Sequence, residues 1–147
     1  MTAGPPPVSP LIALLTAARV WDAELTDALK PIGLTTRKYG LLGHIRGRPG
    51  ISFSELARRS RITVQSAHTA VATLVAAGLV EDSTAHAGAA STLRVTTSGE
   101  AVLARAAEAV AALDARLSAA LPGVAEALCE AVRRDLGDRR PNNLQLC

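Results

Sequence analysis

The stretch from residue 51 to residue 99 constrains the fold more than any other part of the chain. Its punctuation leaves room for two short helices and then a two-stranded ribbon. Ser52-Phe53-Ser54-Glu55 has the form of a capping box. In such a box the serine hydroxyl accepts from an unpaired backbone N–H while the glutamate reaches back to the cap residue. A break at Ser60-Arg61-Ile62 follows, Thr63 opens a second helix, and Gly78 closes it. Two β-prone runs come next, Leu79-Val80-Glu81-Asp82 and Thr92-Leu93-Arg94-Val95-Thr96, joined by a loop of small residues. Two helices joined by a tight turn and followed by a hairpin make the winged helix-turn-helix plan, whose second helix enters the major groove of DNA.

The flanks read as helices. Residues 1–9 form a Pro-rich arm (MTAGPPPVS) with little means of packing. Ser9 then caps a helix with Pro10 in its first turn, where the missing N–H costs nothing. Leu11, Leu14, Leu15, Ala18, Trp21, Leu25 and Leu29 recur along one face of it, and Pro31-Ile32-Gly33 ends it. A second helix starts at Thr35 or Thr36, runs to about Arg46 and stops at Gly47-Arg48-Pro49-Gly50. Beyond the ribbon, Thr97-Ser98-Gly99-Glu100 has the form of another capping box and opens the longest helix, from Gly99 to about Ala120. Leu103, Ala106, Val110, Leu113 and Leu117 alternate steps of three and four along it, a coiled-coil-like seam. Pro122-Gly123 breaks the run, and a last helix spans about 124–136. The chain thus divides into an arm (1–9), an N-terminal dimerisation helix (10–34), a winged helix-turn-helix region (35–98), C-terminal dimerisation helices (99–138) and a tail (139–147). The expected class is mostly α with a small β-hairpin wing.

Aromatic residues make up 2% of the 147, so Leu, Val and Ala must fill the core, which suits close helix–helix contacts. Arg19 and Asp22 interrupt the longest apolar run well short of a membrane span, and the N-terminus lacks a secretory signal's basic region. A cytoplasmic protein without a membrane partner is therefore expected. Cys129 and Cys147 match no metal-ligand spacing and are expected to be thiols, with neither metal nor cofactor implied. Charge is unevenly placed. Between Arg37 and Arg94 stand eight basic residues and three acidic ones, whereas the rest of the chain carries eight and ten. The basic excess coincides with the winged segment and points to a polyanion.

The outer helices carry more apolar surface than one small winged domain needs. Two readings follow: they cover the domain's back, or they interlock with a second copy of the chain. The dimer is favoured, because one helix-turn-helix reads too few base pairs to be specific. Two-fold pairing sets two such helices ~34 Å apart, about one turn of DNA. Leu11, Leu14, Leu15, Leu113, Leu117 and Leu121 are the expected interface residues.

Three stretches, in order and properly separated, resemble the MarR family of bacterial transcriptional regulators. They are Ile51-Ser52-Phe53-Ser54-Glu55-Leu56-Ala57, Leu74-Val75-Ala76-Ala77-Gly78-Leu79-Val80, and Arg94-Val95-Thr96-Thr97-Ser98-Gly99-Glu100, the last similar to the family's R-L-T-x-x-G wing-to-helix junction. The resemblance covers residues 11–136. It implies a homodimer on pseudo-palindromic operators, usually a repressor, and often release from DNA when a small aromatic effector binds. It further implies a pocket between the first, second and long helices, where Trp21, Tyr39, His44 and Arg105 would converge.

For DNA contact, Val64, Ala67, Val71, Leu74 and Val75 share the core-facing side of the second short helix, leaving Gln65, Ser66, Thr69 and Thr73 opposite and His68 at the edge. Gln suits adenine, and Ser or Thr suits a base edge or a phosphate. His68 reads equally well as a partly buried edge residue. Arg58, Arg59 and Arg61 precede this helix and would hold phosphates, setting register without reading sequence. Arg37, Ser52, Thr63, His86 and Arg94 complete the candidates. The wing loop, Ser83-Thr84-Ala85-His86-Ala87-Gly88-Ala89-Ala90-Ser91, lacks the Asp-Arg pair usual in the family, and the helix face carries no Arg or Lys. Weaker DNA affinity than a typical member is expected.

No Gly-rich phosphate loop, zinc-binding pair or nucleophile elbow appears, so catalysis is not expected. Two alternatives stand beside the repressor: a winged sensor or protein-interaction dimer with weakened DNA binding, and a thiol redox regulator in which Cys129 reacts.

Overall fold

The computed structural model describes residues 7–83 and 92–137. Helix α1 (Pro10–Leu29) runs into a 3-10 turn (Lys30–Ile32), followed by α2 (Thr36–Gly47), α3 (Phe53–Ser60) and α4 (Val64–Ala76). Strands β1 (Val80–Glu81) and β2 (Arg94–Val95) pair antiparallel, with Val80 opposite Val95 and Glu81 opposite Arg94. Helices α5 (Thr97–Ala120) and α6 (Val124–Gly137) complete the fold. This is the winged helix-turn-helix read from the sequence, with strands shorter than the β-prone runs. Most of the wing loop with His86, and the tail with Cys147, lie outside the described residues.

One apolar core ties the elements together. Leu29 of α1, Leu41, Leu42 and Ile45 of α2, Leu56 of α3, Val71 and Leu74 of α4, Val80 of β1, and Leu103 and Ala106 of α5 are buried in one cluster with Leu34, Ile51 and Leu93. Among the described residues no polar or charged residue is buried. The seam of α5 is graded: Leu103 and Ala106 are buried, whereas Val110, Leu113 and Leu117 are only half-buried. Helix α1 is graded the opposite way, with Leu29 buried at its C-terminal end and Leu11, Ile12, Leu14 and Leu15 exposed at the other. No helix among the described residues is long and apolar enough to cross a membrane.

Capping follows the local sequence, with two corrections. The Ser52 hydroxyl accepts from the Glu55 N–H at 3.1 Å, but the Glu55 carboxylate turns to arginines instead of closing the box. The cap of α5 is Thr96, not Thr97. Its hydroxyl accepts from the Gly99 N–H at 3.0 Å and donates to the Gly78 carbonyl at 2.6 Å, tying the end of α4 to the start of α5. Ser9 caps α1 with its backbone alone.

Candidate nucleic-acid interface

The turn between α3 and α4 is a Schellman motif. The Ile62 N–H donates to the Ala57 carbonyl at 3.0 Å and the Arg61 N–H to the Arg58 carbonyl at 3.3 Å. The residue in the left-handed position, usually glycine, is Arg61, with φ of 54°. Gly78, with φ of 73°, serves the same role after α4, where its N–H donates to Val75 and that of Leu79 to Leu74. Between these turns Thr63 caps α4, its hydroxyl accepting from the Ser66 N–H at 3.1 Å and donating to Ser66 Oγ at 2.9 Å.

Helix α4 is anchored by Ala67, Val71 and Leu74, all buried. Val64 and Val75, expected to share that anchoring, are 43% and 39% exposed and sit at the margins of the apolar stripe. Gln65, Thr69 and Thr73 form an exposed row at four-residue spacing, as expected. The threonine hydroxyls are committed, Thr69 Oγ1 donating to the Gln65 carbonyl and Thr73 Oγ1 to the Thr69 carbonyl, each at 3.1 Å. His68 is exposed, and its ring stacks on Phe53 with centroids 3.8 Å apart and planes 17° from parallel. This cross-helix stack has no signature in sequence spacing.

The arginines are not equivalent. Arg61 is exposed at the turn, and Arg37 is exposed at the start of α2. Arg58 is 44% exposed but donates to Glu55 through Nε, at 2.9 Å, and through Nη2. Arg59, expected to reach phosphate, is 17% exposed and its Nε lies 2.8 Å from Glu55 Oε1. Arg48 Nη1 stands 3.9 Å from the same oxygen. One carboxylate thus gathers three guanidinium groups, of which the spacing of three and four from Glu55 carries two, Arg58 and Arg59. Hydrogen bonds from Arg58, then Arg59, hold the Glu55 carboxyl down at about 2. Arg94 is exposed on β2, in register with Glu81 at the wing base.

The four residues expected to line an effector pocket sit on three helices, Trp21 on α1, Tyr39 and His44 on α2 and Arg105 on α5. Among the described residues no hydrogen bond or ring contact joins Trp21, Tyr39, His44 and Arg105. Half-buried Trp21 faces Arg116, whose guanidinium carbon is 5.9 Å from the ring centroid and whose Nη1 donates to Glu24 Oε2 at 2.8 Å. Tyr39 packs against the core and Arg105 is exposed. The His44 imidazole pKa is held below its ordinary value by burial and then by the Arg59 charge. An open cavity of about 450 Å³ lies against α4, among Phe53, His68, Val71, Ala72, Val75, Ala76 and Asp82. Cys129 is half-buried on α6.

Known proteins share this fold. Residues 32–87 match the sequence model of the MarR family. The HTH-type transcriptional repressor Rv2887 of Mycobacterium tuberculosis is 35% identical over 109 residues, 74% of this chain and 78% of the repressor. The crystal structure of Rv2887 in complex with DNA superposes with a TM-score of 0.71 at 29% identity, covering 89% of this chain and 99% of that one. Its complex with salicylic acid gives 0.67 at 29% identity, covering 89% and 98%.

Proposed function

The chain belongs to the MarR family, and from that premise we propose that it is a ligand-responsive transcriptional repressor acting as a homodimer on a pseudo-palindromic operator. The observation that carries the reading is the exposed row Gln65, Thr69 and Thr73 on α4, directly behind the exposed Arg61 and Arg58. A helix anchored on one face by Ala67, Val71 and Leu74 presents the opposite face to a major groove. The two arginines stand at the groove's rim, where phosphate contacts fix register. The complexes of Rv2887 with DNA and with salicylic acid support DNA as the partner and a small aromatic acid as the class of effector. The exposed apolar face of α1, with Leu11, Ile12, Leu14 and Leu15, supports pairing with a second copy. Leu113, Leu117 and Leu121, half-buried within one chain, have surface left to contribute to the same interface.

The test is a titration of the purified protein, at two salt concentrations, against the DNA upstream of its own coding region and an unrelated duplex of equal length. The expected result is preference for the upstream DNA with affinity falling steeply as salt rises. Equal failure on both duplexes would favour a winged sensor or interaction dimer.

A further inference from the structure

We infer that α4 selects half-sites built on A·T pairs, reading thymine methyl groups through Thr69 and Thr73 and adenine through Gln65. The inference rests on the DNA-binding reading and concerns what that site recognises. In the major groove guanine presents two acceptors, adenine an acceptor and a donor, and thymine an acceptor and a methyl group. The readers on α4 are unusually restricted against that code.

The helix contains no Arg or Lys, so the forked donor that pairs with guanine is missing from it. The protons of the Thr69 and Thr73 hydroxyls are spent on the carbonyls four residues back, at 3.1 Å each. Such a hydroxyl still accepts but no longer donates, and the γ-methyl is the side chain's remaining contact group. His68 lies flat on Phe53, which fixes the plane of its ring and covers one of its faces. Ser66 Oγ already accepts from Thr63 and is only partly exposed. Gln65 is exposed and carries both a donor and an acceptor, the pair that matches adenine N7 and N6. From Gln65 to Thr73 the row is ~12 Å long at the α-helical rise. It can address three or four base pairs at the ~3.4 Å spacing of each strand. Ala72 and Ala76 are exposed beside it and add apolar contacts of the kind a thymine methyl accepts.

The experiment is selection of bound duplexes from a random library by the full chain, followed by replacement of each thymine of the selected half-site with deoxyuridine. Half-sites dominated by A·T pairs are expected, with about fourfold weaker binding for each contacted methyl removed. Thr69→Ser keeps the hydroxyl bond to the backbone but removes the protein's methyl. It is expected to lose a similar factor on the thymine duplex and nothing further on the deoxyuridine duplex at the matching position. Selected half-sites centred on guanine would overturn the inference, as would equal affinity for thymine and deoxyuridine duplexes. Full deoxyuridine sensitivity in Thr69→Ser would overturn it too. No retention of any duplex, even at low salt, would overturn the DNA-binding reading itself.

Discussion

Arg59 Nε lies 2.8 Å from Glu55 Oε1, so a side chain that sequence order places at the DNA-facing turn is held back against its own helix. The same carboxylate binds Arg58 and stands 3.9 Å from Arg48. The consequence is electrostatic. Before any DNA arrives, one acid at the N-terminal turn of α3, where a negative charge is also favoured by the helix dipole, offsets part of the local basic excess.

Glu55→Gln removes that offset. It is expected to raise affinity for all duplexes at low salt and to steepen the salt dependence by ~1 unit for each additional phosphate engaged. It also costs folding stability, on the order of 1 kcal/mol as befits partly exposed pairs. Because the folded carboxyl is lowered to about 2, the pairs contribute fully above the ordinary carboxylate value and are lost as pH falls toward 2. Denaturant unfolding of both proteins across this range is expected to show a gap that is constant near neutrality and closes in acid. A pH-independent gap would count against the assignment.

What the sequence made legible was local. Ser52, Thr63 and Gly78 announced their roles because a cap needs only a neighbouring hydroxyl or a missing Cβ, and each stands where expected. The row Gln65, Thr69, Thr73 followed from helical spacing alone. What failed depended on contacts between elements. Val64 and Val75 have the spacing of core residues, but burial depends on what packs over each position, and both are left more than a third exposed. The Arg116 guanidinium over Trp21 is likewise a contact made across from α5, without a signal in the spacing of either helix. The wing's strands are shorter than the β-prone runs suggest, because the two strands pair over only two residues each.

Gly99→Ala is expected to destabilise the wing junction by ~1–3 kcal/mol, the usual cost of overpacking. A Cβ at this position in α5 would meet the Leu79 carbonyl and lie 2.6 Å from Val95 Cγ1. The backbone of Leu79 cannot yield easily, because its carbonyl accepts from the Thr96 N–H. Thermal unfolding reads the loss directly.

Leu11→Glu combined with Leu15→Glu is expected to give a folded monomer. Both side chains are already exposed, at 62% and 48%, so charge there costs little within one chain. It costs heavily if a second copy covers them. Light scattering after size exclusion should show the halved mass, circular dichroism an unchanged helix content, and the DNA titration a marked loss of affinity. A persistent dimer would remove this end of α1 from the interface.

Arg116→Ala is expected to alter the fluorescence of the single tryptophan while costing under ~1 kcal/mol, since the ion pair with Glu24 is exposed. Removing the guanidinium takes away both the cation over Trp21 and the bond to Glu24 that fastens α5 to α1. If a salicylate-like acid binds near these helices, the wild-type emission should change on titration with it. An unchanged spectrum in the variant would separate Trp21 from Arg116 in solution.

Arg61 offers the cleanest separation of positioning from reading. Its left-handed backbone, with φ of 54°, disfavours any side chain, and glycine adopts it at no steric cost. Arg61→Gly therefore removes the charge without disturbing the turn and should leave folding stability equal or slightly higher. It should weaken binding to every duplex by a similar factor and flatten the salt slope by about one unit. Gln65→Ala should do the reverse, with the salt slope kept and discrimination between operator and unrelated DNA reduced by ~1–3 kcal/mol. The two variants titrated side by side on both duplexes distinguish a charge at the groove's rim from a side chain within it. If both behave like the wild type, the DNA-contacting face lies elsewhere on the fold.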